Sequence, residues 1–144
     1  MTDTGLLTGQ DIGEAEGAMT ALLECALIPS GRSRAEYITL RLLAARGPFG
    51  SAAELTDFLA GQRQLGLNHA DAATLLDRLR AGSLVTAAPV ELTADGRAAL
   101  EELATAVAPV TRQVFADLDL QDLAVAHRVL VELIQRAKTM TSRP

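Results

Sequence analysis

The stretch that decides the fold runs from Leu75 to Leu100 and has the sequence LLDRLRAGSLVTAAPVELTADGRAAL. It begins with leucines at helical spacing, and Gly82 follows where a left-handed residue is expected to end the helix. Two short extended runs, Leu84-Val85 and Val90-Leu92, are expected to pair as a very short β-hairpin. Thr93 then stands at the N-cap of a new helix, with an acid in the first turn. Helix, tight hairpin and helix in this order predict the second half of a winged helix-turn-helix, which points to DNA binding and away from catalysis.

Capping residues and chain breakers divide the rest of the sequence into helices. Ser33 and Ser51 each precede a glutamate by three residues, and Asn68 precedes Asp71 in the same way, so each is expected to open a helix. Asp119 is the expected cap of the last helix. The predicted helices cover about 8–28, 33–46, 51–60, 69–81, 94–116 and 120–138. The loop between the third and fourth helices, GQRQLG, is longer than the turn of a tight helix-turn-helix.

Length and composition predict a single globular domain. The chain has 144 residues and 49% hydrophobic residues, and it contains no run near the ~18 apolar residues that span a membrane. One cysteine, Cys25, excludes a framework of disulfides within the chain. The N-terminal segment lacks the basic and apolar regions of a signal peptide, so we expect a soluble cytoplasmic protein.

The charge is unevenly distributed along the chain. The formal net charge is −5, which is unusual for a protein that binds phosphates. Residues 1–29 carry five acids and no Lys or Arg, which gives −5, whereas residues 30–85 carry seven arginines against five acids, which gives +2. Residues 86–144, with six bases and eight acids, give −2. The net-basic part is therefore the predicted helix-turn-helix region, as steering toward phosphate requires, although random scatter of surface charge would give a similar pattern.

Two segments, LLDRLRAGSLV and LTADGRAALEEL, resemble the MarR-type transcriptional regulators. In that family a recognition helix is followed by a wing and then by an LTxxGR motif. The resemblance implies a mainly α fold: a winged helix-turn-helix with a short β-hairpin wing, flanked by N- and C-terminal dimerisation helices. We expect one domain over residues 1–144, with a DNA-binding lobe at 30–97 and dimerisation helices at 1–29 and 98–144. The implied function is a homodimeric, ligand-responsive repressor that acts on a pseudo-palindromic DNA operator.

The candidate DNA-binding residues lie on the fourth predicted helix and before the second. Leucines of the fourth helix must face the core, which leaves the other side for the major groove. Asn68 is more readily a helix cap than a base reader. Arg78 and Arg80 either bind phosphates or pair with Asp77 and its neighbours. The predicted set is Arg32, Arg34, Asn68, His69, Ala72, Ala73, Thr74, Arg78 and Arg80.

The predicted wing departs from the family pattern. Family members carry Arg or Lys near the tip of a longer hairpin, where the minor groove attracts cations. Here the equivalent stretch, Thr86-Ala87-Ala88-Pro89, has no charge. Arg46 suits the dipole at the end of its helix, and Arg97 of the LTADGR motif is expected to brace the wing. The uncharged tip leaves an alternative function open, a winged-helix protein-interaction or ligand-binding module that has lost DNA binding.

The terminal helices are expected to form a two-fold dimer interface. The first, fifth and sixth helices are apolar on more than one stripe, and a small helix-turn-helix core cannot cover all of them, although a monomeric six-helix domain is the alternative. The resemblance also implies an effector cleft between these helices and the DNA-binding lobe. Its expected lining is Met19, Leu23, Tyr37, Arg41 and Arg112.

The sequence offers little for catalysis or for metal binding. Cys25 lies late in its helix with no neighbouring cation, so we expect a buried, inert thiol and not a redox sensor. His127 is expected on the surface or in a dimer interface, because two histidines and one cysteine cannot make an ordinary zinc site. No Ser-His-Asp order or Gly-rich phosphate loop appears. We therefore expect no enzyme activity, no cofactor and no metal.

Overall fold

The computed structural model describes residues 5–142 and is mainly helical, as expected. It contains two compact units, Met1–Val110 and Thr111–Pro144. Residues 1–4 and 143–144 of the predicted dimerisation segments lie outside the described residues. The helices are α1 Gly9–Leu27, α2 Arg34–Arg46, α3 Ala52–Ala60, α4 His69–Ala81, α5 Ala94–Phe115 and α6 Leu120–Thr141, with short 3-10 turns at Ile28–Ser30 and Arg63–Leu65.

Four side-chain caps fix the starts of the helices, as the sequence predicted. The hydroxyls of Ser33 and Ser51 accept hydrogen bonds from the third residues of α2 and α3, both at 3.1 Å. Asn68 and Asp71 form a reciprocal capping box at the start of α4. Asp119 accepts from two backbone amides at the start of α6. Each cap satisfies amides that have no partner within the helix, which is why the predicted boundaries agree closely with the structure.

The core of the first unit lies where α3 and α4 pack on each other and on α2. Leucines at helical spacing supply most of it, since residues three and four apart share one face of a helix. The side chains buried most completely are Leu27, Leu40, Leu55, Leu59, Leu76, Leu79 and Val90. The two helices of the predicted helix-turn-helix are therefore held together by a continuous apolar contact. The connection between them includes the 3-10 turn, whose Leu65 is also buried, so the long loop is anchored.

The segment between α4 and α5 turns back on itself but contains isolated bridges instead of strands. Val85 bridges Leu92, and Val90 bridges Phe49 of the α2–α3 connection. The Thr86 amide donates to the Glu91 carbonyl at 2.9 Å, which closes the turn. The predicted β-hairpin wing is thus not confirmed as a pair of strands, because the two runs are too short for a ladder. We call residues 83–93 the connector.

Helix α4 ends at Ala81 as predicted, but the left-handed residue after it lies one position later than expected. Gly82 has a φ of −83°, and the left-handed position falls on Ser83, with a φ of 60°. The Leu84 amide donates to the Leu79 carbonyl at 3.0 Å, which is the closing hydrogen bond of a Schellman-type helix end. The prediction that Gly82 is the left-handed residue was wrong, because Gly82 is the C-cap with a negative φ and the turn is made at Ser83.

The LTADGR motif joins the start of α5 to the end of α4. The Thr93 hydroxyl donates to the Ser83 carbonyl at 2.7 Å and accepts from the Gly96 amide at 3.0 Å. A Cβ on Gly96 would overlap the carbonyl oxygen of Leu84 and would lie 3.3 Å from Leu92 Cδ2. Glycine is required there because the helix backbone touches the connector directly. The threonine and the glycine of the motif are therefore structural.

The second unit consists mainly of α6, whose surface is rich in apolar side chains. No described residue of α6 is buried. The large hydrophobic residues that it exposes are Leu120, Val125, Leu130, Val131, Leu133, Ile134 and Met140. Exposed apolar side chains in this number are typical of a helix that takes part in an interaction. Within residues 5–142, no helix has the length and apolar character needed to cross a bilayer.

Candidate nucleic-acid interface

Helix α4 presents one polar face and buries the other. Ala72 is completely buried, together with Leu75, Leu76 and Leu79. Ala72 as a DNA-contacting residue was therefore wrong, since it lies three and four residues before two core leucines and shares their face. His69, Ala73, Thr74 and Arg78 are all exposed. Of the predicted DNA contacts on α4 itself, these four are the fully exposed ones, and the acids Asp71 and Asp77 are exposed beside them.

The N-terminus of α4 is held by two pairs of side chains. The Asn68 side chain accepts from the Asp71 amide at 2.7 Å, and the Asp71 carboxylate accepts from the Asn68 amide at 3.3 Å. The interpretation of Asn68 as a cap is confirmed, and this hydrogen bond occupies the carbonyl of its side chain. His69 Nε2 lies 2.9 Å from Asp57 Oδ1 of α3. The first turn of α4 is thus fixed both to its own cap and to the preceding helix.

Arg78 and Arg32 meet at one buried carboxylate. Arg78 Nη1 lies 3.4 Å from Glu36 Oε1, and Arg32 Nη1 lies 3.2 Å from Glu36 Oε2. The side chain of Glu36 is 7% exposed, whereas that of Arg78 is 61% exposed. Of the two alternatives left open for Arg78, the pair with Asp77 is not present, and its ion-pair partner is Glu36. We call Arg32, Glu36 and Arg78 the α2–α4 charge cluster.

A second group of arginines surrounds the connection between α3 and α4. Arg34 Nη2 donates to the Gln64 carbonyl at 3.3 Å, and its Nε lies 3.9 Å from Glu24. This contact places the start of α2 beside the loop that precedes α4. Arg63 lies in that loop and is exposed, with no ion pair among residues 5–142. Sequence reasoning counted Arg63 only toward the net charge, although its position just before the recognition helix was a usable signal.

Arg80 is committed to the connector. Its Nη2 donates to the Ala87 carbonyl at 3.0 Å, and its Nε is buried without a hydrogen-bond partner in the described part of the chain. The residue is only half-buried, so part of the guanidinium stays accessible beside the connector tip. Neither of the predicted roles, a free phosphate contact or a pair with Asp77, describes this arrangement. Arg80 instead holds the uncharged tip of the connector through its hydrogen bond to the Ala87 carbonyl.

Two other arginines lie away from α4. Arg46 places its guanidinium 5.7 Å from the centre of the Phe58 ring. Arg97 is exposed and lines a cavity of about 330 Å³ with Leu43, Pro48 and Leu92. Its side chain forms no ion pair or hydrogen bond within residues 5–142. The expected bracing of the connector comes from Thr93 and Gly96, and Arg97 was the wrong member of the motif for that role.

The residues expected to line an effector cleft are only partly brought together. Tyr37 is buried, and the Arg41 guanidinium lies 5.5 Å from the centre of its ring. Leu23 packs against the core, while Met19 is exposed on α1. Arg112 belongs to the second unit. The cleft therefore stays a prediction, with the Tyr37–Arg41 contact as its described part.

Cys25 is exposed, so the prediction of a buried thiol was wrong. The inner stripe of α1 passes through Leu23, Ala26 and Leu27, and Cys25 lies off this stripe. It borders an open depression together with Glu24, Ile28 and the start of α2. In the described part of the chain, no cluster of three or more His, Cys, Asp or Glu residues has the arrangement of a metal site.

Comparisons with known proteins give structural matches only. No protein-family model matches the sequence, and no curated protein sequence does. The MarR family protein Rv2887 of Mycobacterium tuberculosis, solved as a complex with DNA, is 26% identical. The match covers 89% of this chain and 98% of Rv2887, with a TM-score of 0.69. The chain has the fold of this MarR family protein.

Other MarR-type structures match over a similar length. Escherichia coli MarR in its apo form is 17% identical over 90% of this chain and 98% of its own, with a TM-score of 0.67. BpsR of Bordetella bronchiseptica is 19% identical over 92% of this chain and 98% of its own, with the same TM-score. These matches show the fold. The resemblance to MarR-type proteins, predicted from two short motifs, is confirmed along nearly the whole chain.

Proposed function

We propose that this MarR-type chain is a DNA-binding transcriptional regulator, a repressor that a small molecule releases from its operator. The observation that carries the proposal is the match to Rv2887, whose structure contains DNA, over 89% of this chain. Rv2887 was also solved with salicylic acid, and BpsR is described as regulated by 6-hydroxynicotinic acid. A small organic effector is therefore the expected partner besides DNA. The matched proteins are regulators and not enzymes, and none supports the alternative of an interaction module.

The exposed face of α4 is the proposed reading surface. His69, Ala73 and Thr74 are small or polar and lie on the accessible side of the helix, as a helix in the major groove requires. Arg78 and Arg32 flank this face from the charge cluster and are the proposed phosphate contacts. Asn68 contributes by fixing the first turn of α4.

The connector is the proposed wing, and it is a short one. Its exposed tip at Ala87, Ala88 and Pro89 carries no charge, and Arg80 is the nearest guanidinium. Because each phosphate neutralised by a cation adds to binding and to its salt dependence, we expect this wing to contribute little affinity. The recognition helix and the start of α2 then supply nearly all contacts with the DNA backbone.

The active species is the proposed homodimer, in which the terminal helices of two copies pair. Exposed leucines and valines on α6 and apolar residues on α1 supply the surface for such a contact. A two-fold dimer places two recognition helices in successive major grooves, about 10–10.5 base pairs apart. An effector would favour a dimer geometry in which this spacing is lost. A regulator of this kind acts in the cytoplasm.

Selection of genomic fragments by the purified protein tests the proposal. We expect recovered fragments to share a pseudo-palindrome with half-sites about one helical turn apart. Thr74→Ala should relax the preference at one base position of each half-site, whereas Ala81→Ser, at the far end of α4, should not. Fragments without a common motif, or with a single asymmetric half-site, would contradict the proposed dimer on DNA.

A further inference from the structure

The α2–α4 charge cluster contains a buried acid at the edge of the proposed DNA surface. Glu36 is 5% exposed and is the third residue of α2. One oxygen of its carboxylate forms an ion pair with Arg32, and the other forms an ion pair with Arg78. The Ser33 hydroxyl donates a hydrogen bond to the same carboxylate at 3.4 Å. Arg78 lies 42 residues away along the chain. The acid therefore joins the start of α2 to the last turn of α4.

We propose that Glu36 is a positioning residue that holds Arg78 at the edge of the DNA surface and withholds one positive charge per subunit from the DNA backbone. This inference rests on the proposed function of α4. The cluster holds two guanidiniums and one carboxylate, so its net charge is +1 where two free arginines would give +2. Because Glu36 is buried and Arg78 is largely exposed, a phosphate approaches Arg78 from solvent and cannot displace the carboxylate. Glu36 then remains paired in the complex and keeps its effect on the bound state.

The consequence is weaker binding to all sequences alike with little effect on reading of bases. A guanidinium has five N–H donors, and one Nη1 contact leaves others free for a phosphate. The carboxylate holds the plane of Arg78 in place, so the contact is positioned but its charge is reduced. Phosphate contacts supply affinity and base contacts supply specificity. A partly neutralised phosphate contact therefore lowers the affinity for every duplex and leaves the ratio of specific to non-specific binding unchanged.

The variant Glu36→Gln, which has nearly the same shape but no charge, tests the proposal through the salt dependence of DNA binding. Glu36→Gln frees about one cation per subunit, and each neutralised phosphate changes the slope of log affinity against log salt by about −0.9. For a dimer, the slope should steepen by roughly 2 on a random duplex. Between about 50 mM and 200 mM salt, the advantage of the variant over the unchanged protein should fall roughly tenfold. Fluorescence anisotropy with a labelled duplex provides the measurement.

Two matched variants separate this effect from net charge. Glu102→Gln removes an exposed acid of α5 that has no ion pair among residues 5–142, so it changes the net charge equally. It should leave the slope unchanged. Adding Arg78→Ala to Glu36→Gln should abolish most of the gain. A slope for Glu36→Gln that equals that of Glu102→Gln, or is shallower than that of the unchanged protein, would overturn the inference.

Failure of the inference and failure of the proposed function are distinguishable. If the unchanged protein binds DNA and Glu36→Gln has the same slope, only the role of Glu36 is wrong. If the folded dimer binds no duplex at low salt with either residue at position 36, the proposed function fails as well. Should Glu36→Gln not fold, Glu36→Met also removes the carboxylate charge and keeps most of the side-chain volume at this buried position. It should also steepen the slope, and an unchanged slope would count against the proposal.

Discussion

Alanine at Gly96 should destabilise the protein although alanine is the better helix former. Within a helix the change from glycine to alanine is favourable by about 1 kcal/mol. At Gly96 the added methyl would overlap the Leu84 carbonyl oxygen and approach Leu92. Overpacking typically costs about 1–3 kcal/mol, and a backbone carbonyl cannot rotate away as a side chain can. With the upper end of this overpacking cost, less the gain in helix propensity, we expect the free energy of unfolding to fall by about 2 kcal/mol.

Thermal unfolding at one fixed protein concentration measures this effect, because the Tm of a dimer depends on concentration. A loss of about 2 kcal/mol corresponds to a Tm lower by about 6–10 °C for a chain of this size. Gly13→Ala on α1 is the matched control, since a methyl added there would have no other atom within 4 Å. It should raise the Tm by about 2–4 °C. A Gly96→Ala variant that melts at or above the temperature of the unchanged protein would refute the argument from close approach.

The described contacts support three further predictions. Thr93→Ala should lower the free energy of unfolding by about 1–2 kcal/mol, because it removes the cap of α5 and the hydrogen bond to Ser83, whereas Thr93→Ser should retain most of it in denaturant titrations. Leu130→Glu should give monomers or insoluble protein, because it places a charge on the apolar surface of α6. Light scattering that shows a stable monomer for the unchanged chain would contradict this. Arg78→Ala should weaken binding about equally on every duplex, and a loss confined to one sequence would argue that Arg78 reads a base.

The helices were predictable because their signals are local. A cap such as Ser33 or Asp119 acts on amides two or three residues away, and a chain breaker acts on its own neighbours. The LTADGR motif was predictable as a helix start for the same reason. Its close contact with the connector was not, because Leu84 approaches Gly96 only after the connector has folded back. The left-handed residue was misplaced by one position because Ser83, and not Gly82, completes the Schellman hydrogen bonds.

The candidate site was harder to predict because two of its defining contacts join residues that are remote in sequence. Arg78 pairs with Glu36 and Arg34 with the Gln64 carbonyl, at separations of 42 and 30 residues. No pattern along the chain contains such partners. The misassignment of Ala72 was avoidable, since its spacing to Leu75 and Leu76 already placed it on the core face. A small residue on a recognition helix can face either the DNA groove or the protein core. Only its spacing to the core leucines shows which of the two it faces.

The most direct test of the central claim is a salt titration of the unchanged protein and of Ala88→Arg on the same selected duplex. We predict that the folded dimer binds at low salt, with a shallow salt dependence. Arginine at the connector tip should tighten binding to every sequence and steepen the slope by roughly 2 for the dimer. A folded dimer that binds no DNA at low salt, with or without the added arginine, would contradict the assignment of this chain as a DNA-binding regulator.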